Sequence, residues 1–369
     1  MFMPEKIAQV RKQRLVSAAE AICEATDLAM SEHPSVYVIG EGVTDPKAIF
    51  GTTKGLAQKY GSKRVIESPI SENGITGIAI GSALMGQRPV LIHQRVEFAL
   101  LSMEQLINNA AKMRYVSRGQ YKVPLVVRVI VGRGWGQGPW HSQSLETMFA
   151  YVPGLKVVMP SNPEDCGGLL LSAIADDNPV IFLEHRWVHY VTGYLSEVPT
   201  PIPLEGPRHL REGDGCTVVA TSYMVLECLQ AASALADAGV HVDLFDLRVL
   251  RPLELGSIIA SVSRTRRLVV VDTGFVMFGI GAEVIAKIAE VAEYRFKCPP
   301  RRLGLPGHPT PSCRSLVETY YPRSPHIPAN IGEVVGIEKE RIAELQRSLS
   351  SMREELPLDI PHPSFQGPF

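Results

Sequence analysis

The sequence has no surplus of either charge: 37 Lys and Arg stand against 38 Asp and Glu, a formal net charge of -1 over 369 residues. A chain so balanced offers no basic field for a phosphate backbone or an anionic bilayer, and neither nucleic acid nor membrane is expected as a partner. Long hydrophobic runs are missing too. No segment reaches the ~20 unbroken apolar residues that a bilayer requires, and the start, "MFMPEKIAQVRKQR", has no apolar core of the signal-peptide kind. The expected location is cytoplasmic. Cys23, Cys166, Cys216, Cys228, Cys298 and Cys313 are widely spread and form no CxxC unit, which argues against a disulfide framework and a zinc site and for reduced, packed thiols. The GxG in "FGIGAEV" follows an apolar run but does not complete a dinucleotide fingerprint.

What the sequence does contain is length for two domains, at roughly 100–200 residues each, and a sustained alternation. "RLVSAAEAICEATDLAM" puts Leu15, Ala18, Ile22, Ala25 and Ala29 at helical spacing. Short runs rich in Val and Ile follow ("VYVIG", "KRVIE", "RPVLIH", "PLVVRVIV", "LKVVMP", "PVIFLE"), separated by helix-like segments such as "MEQLINNAAKMRY" and "PEDCGGLLLSAIA". Strands apolar on both faces that alternate with helices predict a mainly parallel sheet covered on both sides. The pattern loosens across "YLSEVPTPIPLEGPRHLREGDG", where Pro and Gly leave little scope for regular structure. It resumes with "CTVVATS", a helix over about 223–238, "VDLFDLRVL", a helix near "LGSIIASVS", "RLVVVDTG" and a helix after Gly281. "IGEVVGIEKERIAELQRSLSSMREEL" reads as one closing amphipathic helix. The expectation is an α/β protein of two doubly wound domains: the larger over 1–195, a linker over 196–213, the smaller over 214–350, and an extended tail over 351–369.

In open parallel sheets, ligands bind beyond the carboxyl ends of the strands. Glu41 follows "VYVIG", Glu72 follows "KRVIESPI", Gln94 and Phe98 follow "RPVLIH", and His141 lies in "GRGWGQGPWHSQS" after "PLVVRVIV". If these strands share a sheet, all five residues reach one rim. Each has a plainer reading as well. Glu72 could be an acid in a helix's first turn, favoured by about 0.3–1 kcal/mol; Glu41 a solvated acid; Phe98 a core residue; His141 a loop histidine on backbone. A capping box from Ser71 is ruled out, because position 74 is Gly rather than Glu or Gln. Gly74, Gly77 and Gly81 each cost a helix about 1 kcal/mol relative to Ala, and their spacing gathers them where a ligand or another chain can approach the backbone.

With these residues in place the chain resembles the β subunits of the thiamine-diphosphate-dependent 2-oxoacid dehydrogenases, the transketolase-like family that includes the decarboxylating components of the pyruvate and branched-chain complexes. The resemblance runs over nearly the whole chain. It rests on "FGTTKGLAQKYGSKRVIESPISENGITGIAIGSALMGQRPV", "MEQLINNAAKMRYVSRGQ", "VPLVVR", "HSQSLE", "PGLKVVMPSNPEDCGGLLLSAIADDNPVIFLE", "DLRVLRPLE" and "MFGIGAEV". It implies that the first domain binds the cofactor's pyrimidine, that Glu72 bonds the pyrimidine ring nitrogen, and that Phe98 and Gln94 lie beside that ring. It further implies that His141 serves substrate handling and acyl transfer to lipoyl, and that Glu41 is an acid in the channel between paired cofactors. Leu125, Ala173, Ile174, Asp176 and Asn178 match a potassium site of backbone carbonyls and two side chains. Three features depart from the family's usual pattern: "GEGV" where many relatives have "GEDV", a long cation at Arg95, and the minority-type ending "PGHPTPSCRSLVETYYP".

Loss of carbon dioxide from a 2-oxoacid needs an electron sink, which thiamine diphosphate supplies. A carboxyl group in apolar surroundings can stay protonated near neutrality and donate a hydrogen bond, the task the resemblance gives Glu72. A diphosphate with its Mg ion needs backbone donors and oxygen ligands, and no such signature is present. "GDG" at 213–215 precedes a strand and lacks the downstream asparagines. A separate α chain is therefore expected to hold Mg and diphosphate in an α2β2 assembly, with a 2-oxoacid as substrate and a lipoyl acyltransferase core as a further partner. Two alternatives stay open: a half-transketolase or acyloin-forming carboligase subunit, and a non-catalytic scaffold.

Overall fold

The structure, a computed structural model, describes residues 13–133 and 137–352. Its centre is a seven-stranded sheet in the order Val249–Arg251, Lys156–Val158, Val180–His185, Val126–Val131, Arg88–His93, Val36–Gly40, Val65–Glu67, parallel throughout except at the first of these. The period-2 geometry of a strand sends successive side chains to opposite faces. Leu91, Val127, Val129, Ile181 and Leu183 pack on one side with Ile75, Ala79, Ile80 and Ala83 of the helix Glu72–Leu84. Val90, Ile92, Val126, Ile130 and Phe182 pack on the other with Ala18, Ile22, Ala25 and Leu169 of the helices Ala18–Glu32 and Pro163–Ala175. Those two helices meet closely at Gly167, where a Cβ would stand 3.3 Å from the Ala21 carbonyl oxygen.

A second sheet runs Arg301–Leu305, Leu268–Phe275, Cys216–Ala220, Val242–Asp246, Arg208–Arg211, with only the last strand antiparallel. The helices Tyr223–Asp237, Gly256–Thr265 and Ile280–Val291 cover it. This is the doubly wound α/β architecture the alternation predicts.

Four local expectations are corrected. Leu15 belongs to the strand Gln13–Ser17, paired with Thr192–Ser196, and is 62% exposed; the helix starts only after Ser17, which forms a capping box with Glu20. The Pro/Gly-rich segment is not without regular structure, since Arg208–Arg211 edges the second sheet. "VDLFDLRVL" is not one strand: Val242–Asp246 stays in the second sheet, while Val249–Arg251 crosses to the edge of the first. The closing helix is two, Ile327–Val335 and Lys339–Ser351, because Gly336 takes the left-handed conformation (φ 84°) and stops the first. The tail expected from 351 onward lies outside the described residues from 353 on.

Candidate active site

Glu41, Glu72, Gln94, Phe98 and His141 all follow carboxyl ends of the first sheet's parallel strands. Glu72 opens its helix at 7% exposure, and Ser71 before it makes no side-chain cap. A small polar cage fixes that first turn. Thr76 Oγ1 and Ser102 Oγ donate to the Glu72 carbonyl at 2.7 and 2.9 Å, and His93 Nε2 lies 3.3 Å from both hydroxyls. Burial pushes His93 down to about 4, so its ring is neutral at ordinary pH. The cage ties the strand end at His93 to the helix that opens at Glu72 and to the 3-10 turn Leu100–Ser102, which follows the turn carrying Phe98.

Glu41 belongs to the same constellation. The amide of Gln94 donates from Nε2 to the Glu41 carbonyl at 3.0 Å. Gly42, at φ 72°, makes that approach possible, since a Cβ there would fall 2.3 Å from the same nitrogen. Glu67 secures the loop by accepting from Gly42 N at 2.5 Å and from Thr44 N at 2.9 Å. Burial, then the charges of Glu72 and Glu67, raise the Glu41 carboxyl above its ordinary range, and its Oε1 is buried with no partner among the described residues.

Phe98 and His141 form a second group, their rings edge to face with centroids 5.4 Å apart. His141 Nδ1 is buried without a partner among the described residues. Glu97 lies alongside, accepting from Gln143 N at 2.8 Å; burial raises its carboxyl, while Arg95 and His141 oppose the rise. Sequence reasoning missed Thr76, His93, Ser102, Glu67 and Glu97. Only Glu97, between two chosen residues past a strand end, carried a sequence signal that could have found it.

The glycine-bearing helix presents an open face. Gly74 and Gly81 are exposed, nothing lies within 4 Å of a Cβ built on Gly81, and Ile70, Ile78 and Met85 beside them are 84%, 62% and 83% exposed. Gly77 instead faces the side chain of Gln105.

Leu125, Ala173, Ile174, Asp176 and Asn178 gather at the opposite rim, by the starts of Val126–Val131 and Val180–His185. The carbonyls of Leu125 and Ala173 accept backbone N–H groups at 2.9 and 3.3 Å, and those of Ile174 and Asp176 share the Arg88 guanidinium at 2.9 and 3.0 Å. Each carbonyl oxygen keeps a second lone pair, but the Arg88 charge already occupies two of the four. The two side chains are engaged as well: Lys156 holds the Asp176 carboxylate, which also accepts from Asn178, and Arg114 donates to Asn178 Oδ1 at 2.7 Å. "GDG" is a turn, Gly213 packing on the backbone of His241 and Val242 just before Cys216–Ala220.

Fold and rim together define an α/β protein of the transketolase type, and both halves match family models: the transketolase pyrimidine-binding domain over residues 15–189 and the transketolase C-terminal domain over 207–327. The chain is 39% identical over 277 residues to the pyruvate dehydrogenase E1 component subunit beta of Rickettsia bellii (strain RML369-C), covering 75% of this chain and 85% of the relative. It is 39% identical over 288 residues to the mitochondrial counterpart of Rattus norvegicus, covering 76% and 79%. The acetoin:2,6-dichlorophenolindophenol oxidoreductase subunit beta of Cupriavidus necator is 36% identical over 326 residues, covering 86% and 96%. A solved split-gene transketolase, an inactive beta4 tetramer, superposes with a TM-score of 0.69 over 88% of this chain and 99% of its own; at 19% identity that is a likeness of fold. The chain belongs to the family of E1 β subunits of thiamine-diphosphate-dependent 2-oxoacid dehydrogenases.

Proposed function

We propose that this β subunit activates thiamine diphosphate for decarboxylation of a 2-oxoacid and passes on the acyl group, and that it does so only with a separate α chain in an α2β2 assembly. The observation that carries the reading is Glu72: a buried acid whose backbone carbonyl is held by the Thr76, Ser102 and His93 cage, at the head of a helix whose glycine face is open. The donor set fits the cofactor's pyrimidine end, because the buried orphans Glu41 Oε1 and His141 Nδ1 and the ring of Phe98 stand at the same rim. When bound, thiamine diphosphate supplies the electron sink for the decarboxylated 2-oxoacid.

In this reading Glu72 holds or gives a proton at the pyrimidine nitrogen, Phe98 and Gln94 fix the ring's position, and Glu41 serves as the acid between paired sites. His141 handles protons on the substrate and its acyl product. The α chain covers the exposed Ile78 and Met85 face and brings Mg and the diphosphate contacts. A potassium ion on the carbonyls of Leu125, Ala173, Ile174 and Asp176 is an accessory to a loop that Arg88 and Lys156 already hold. Lipoyl on an acyltransferase core, in the cytoplasm, is the proposed acceptor. The likeness to an acetoin oxidoreductase β subunit supports a second reading, in which an acyloin is the substrate.

The test is co-expression with a candidate α chain and a screen of 2-oxoacids and acetoin for product release with an artificial electron acceptor, with and without lipoamide. Glu72→Gln should lower turnover about 10²–10⁴-fold, the range for a lost acid–base group. Full activity of that variant, or turnover by the β chain alone, would sink the reading.

A further inference from the structure

Three arginines stand just past the ends of three adjacent parallel strands: Arg95 after Arg88–His93, Arg133 after Val126–Val131, Arg186 after Val180–His185. All are buried, at 7%, 1% and 0% exposure. Arg95 and Arg186 share the ring of Phe50, their guanidinium carbons 5.6 and 3.8 Å from its centroid, and Arg133 lies 5.8 Å from the ring of Tyr321. Burial, then the charge of Arg186, pushes Arg95 down to about 10, still charged at neutral pH. Glu97 is the one carboxylate among the described residues whose charge opposes that shift, and its own burial favours its neutral form. Nη1 of Arg95 is buried with no hydrogen-bond partner among the described residues.

A guanidinium cannot escape burial by losing its proton, so a buried one calls for an anion. The position says which anion. Arg95 sits between Gln94 and Phe98 in the chain, and Glu97 feels both its charge and that of His141. The cluster thus borders the site where a 2-oxoacid would react. The substrate's own C1 carboxylate is a poor occupant, because it leaves as neutral carbon dioxide; a fixed guanidinium on it would stabilise the ground state more than the transition state and slow the reaction. A group that keeps its charge throughout gains from the contact at every stage.

We propose that Arg95, with Arg186 beside it, receives the anionic end of the substrate's side chain, so that the 2-oxoacid taken by this enzyme carries a second negative group, carboxylate or phosphate. The planar fork of arginine suits either. This deepens the decarboxylase reading above and rests on it for the identity of the reacting end, but the anion site can be tested separately.

The experiment uses the enzyme co-purified with its α chain. Carbon dioxide release is compared for 2-oxoacids of matched length ending in methyl, carboxylate or phosphate, in wild type and in Arg95→Gln and Arg95→Lys. In parallel, thermal stabilisation by saturated, unreactive dicarboxylates and alkyl phosphates is measured. Wild type should favour an anion-tailed substrate in kcat/KM by roughly tenfold or more, the better anion naming the source, and Arg95→Gln should erase that ratio mainly through KM while Arg95→Lys restores part of it. Equal kcat/KM for methyl-tailed and anion-tailed substrates in wild type would overturn the proposal even if neither variant folds. Anion stabilisation that depends on Arg95 without any 2-oxoacid turnover would uphold the site and refute the decarboxylase reading. Turnover of methyl-tailed substrates with no response to anions would do the reverse.

Discussion

The imidazole of His141 stands edge-on to the ring of Phe98, with 5.4 Å between centroids and 75° between planes. Phe98 is carried by the helical turn Val96–Ala99, while His141 follows the separate 3-10 turn Gly138–Trp140, so the contact fixes a loop histidine against a scaffolded ring. Phe98→Ala should release His141 and, under the proposed function, also remove a wall of the pyrimidine site. Both kcat and the half-saturating thiamine diphosphate concentration should worsen, whereas His141→Gln should lower kcat about 10²-fold or more with cofactor affinity little changed. Steady-state kinetics of the two variants checks this split.

Glu146 and Asp272 form a buried acid pair across the two halves of the molecule. Burial, then the charge of Asp272, pushes Glu146 up to about 8, and burial raises Asp272 as well. A Cβ on Gly274 would collide with Glu146 Oε1, so it is the bare glycine that lets Glu146 lie there. For an acid raised in the folded state, the stabilisation is complete below the unfolded value near 4.5 and is lost as pH rises through about 8. Glu146 therefore contributes a fall in melting temperature between pH 5 and pH 8, set against the opposite contribution of buried neutral histidines such as His93. Glu146→Gln should flatten that slope and melt a few degrees higher at pH 8, at about 2–4 °C per kcal/mol. A difference in melting temperature between wild type and Glu146→Gln that stays constant over this interval would refute the assignment.

Arg128 and Glu184 meet on adjacent strands with essentially no exposure, Arg128 Nη2 donating to Glu184 Oε2 at 2.9 Å and His189 Nε2 lying 3.0 Å from the same oxygen. Burial would raise Glu184, but the Arg128 charge and these hydrogen bonds outweigh it and bring the carboxyl down to about 2. That contribution is present above pH 4.5 and lost as pH falls toward 2. Glu184→Ala should cost about 3–5 kcal/mol by stranding Arg128 in the core. Urea unfolding at pH 7 measures it, and a loss under about 1 kcal/mol would contradict the network's role.

Substitutions at Gly81 would test the proposed assembly apart from folding. With open space around its missing Cβ, Gly81→Ala should stabilise the β chain by up to about 1 kcal/mol. Gly81→Trp should leave the β chain folded but prevent it from co-purifying with an α chain. Assembly of the Trp variant would show that this face is not the interface.

The strands were legible because both of their faces are apolar, and the rim residues because each follows a strand end. Periodicity does not say which sheet a strand joins, so Val249–Arg251 was assigned to the wrong one. The helix break at Gly336 was missed because Ile331, Val334, Ile342, Leu345 and Leu349 are buried on both sides of it, keeping an apparently continuous apolar stripe. The Thr76, His93 and Ser102 cage was illegible for another reason: three ordinary polar residues acquire meaning only when folding buries them together. Arg133 and Arg186 could have been found by the same strand-end reasoning that led to Glu72, since they lie two and one residues past strand ends.

The crossing of Val249–Arg251 bears on how the protein is made. During synthesis the first sheet emerges with Lys156–Val158 as a bare edge, and its antiparallel neighbour does not exist until the ribosome has passed residue 251. An unpaired edge is a template for pairing with other chains. The nascent protein is therefore most prone to self-association midway through translation, and a gene split between the two halves would yield a first product with that edge permanently uncovered.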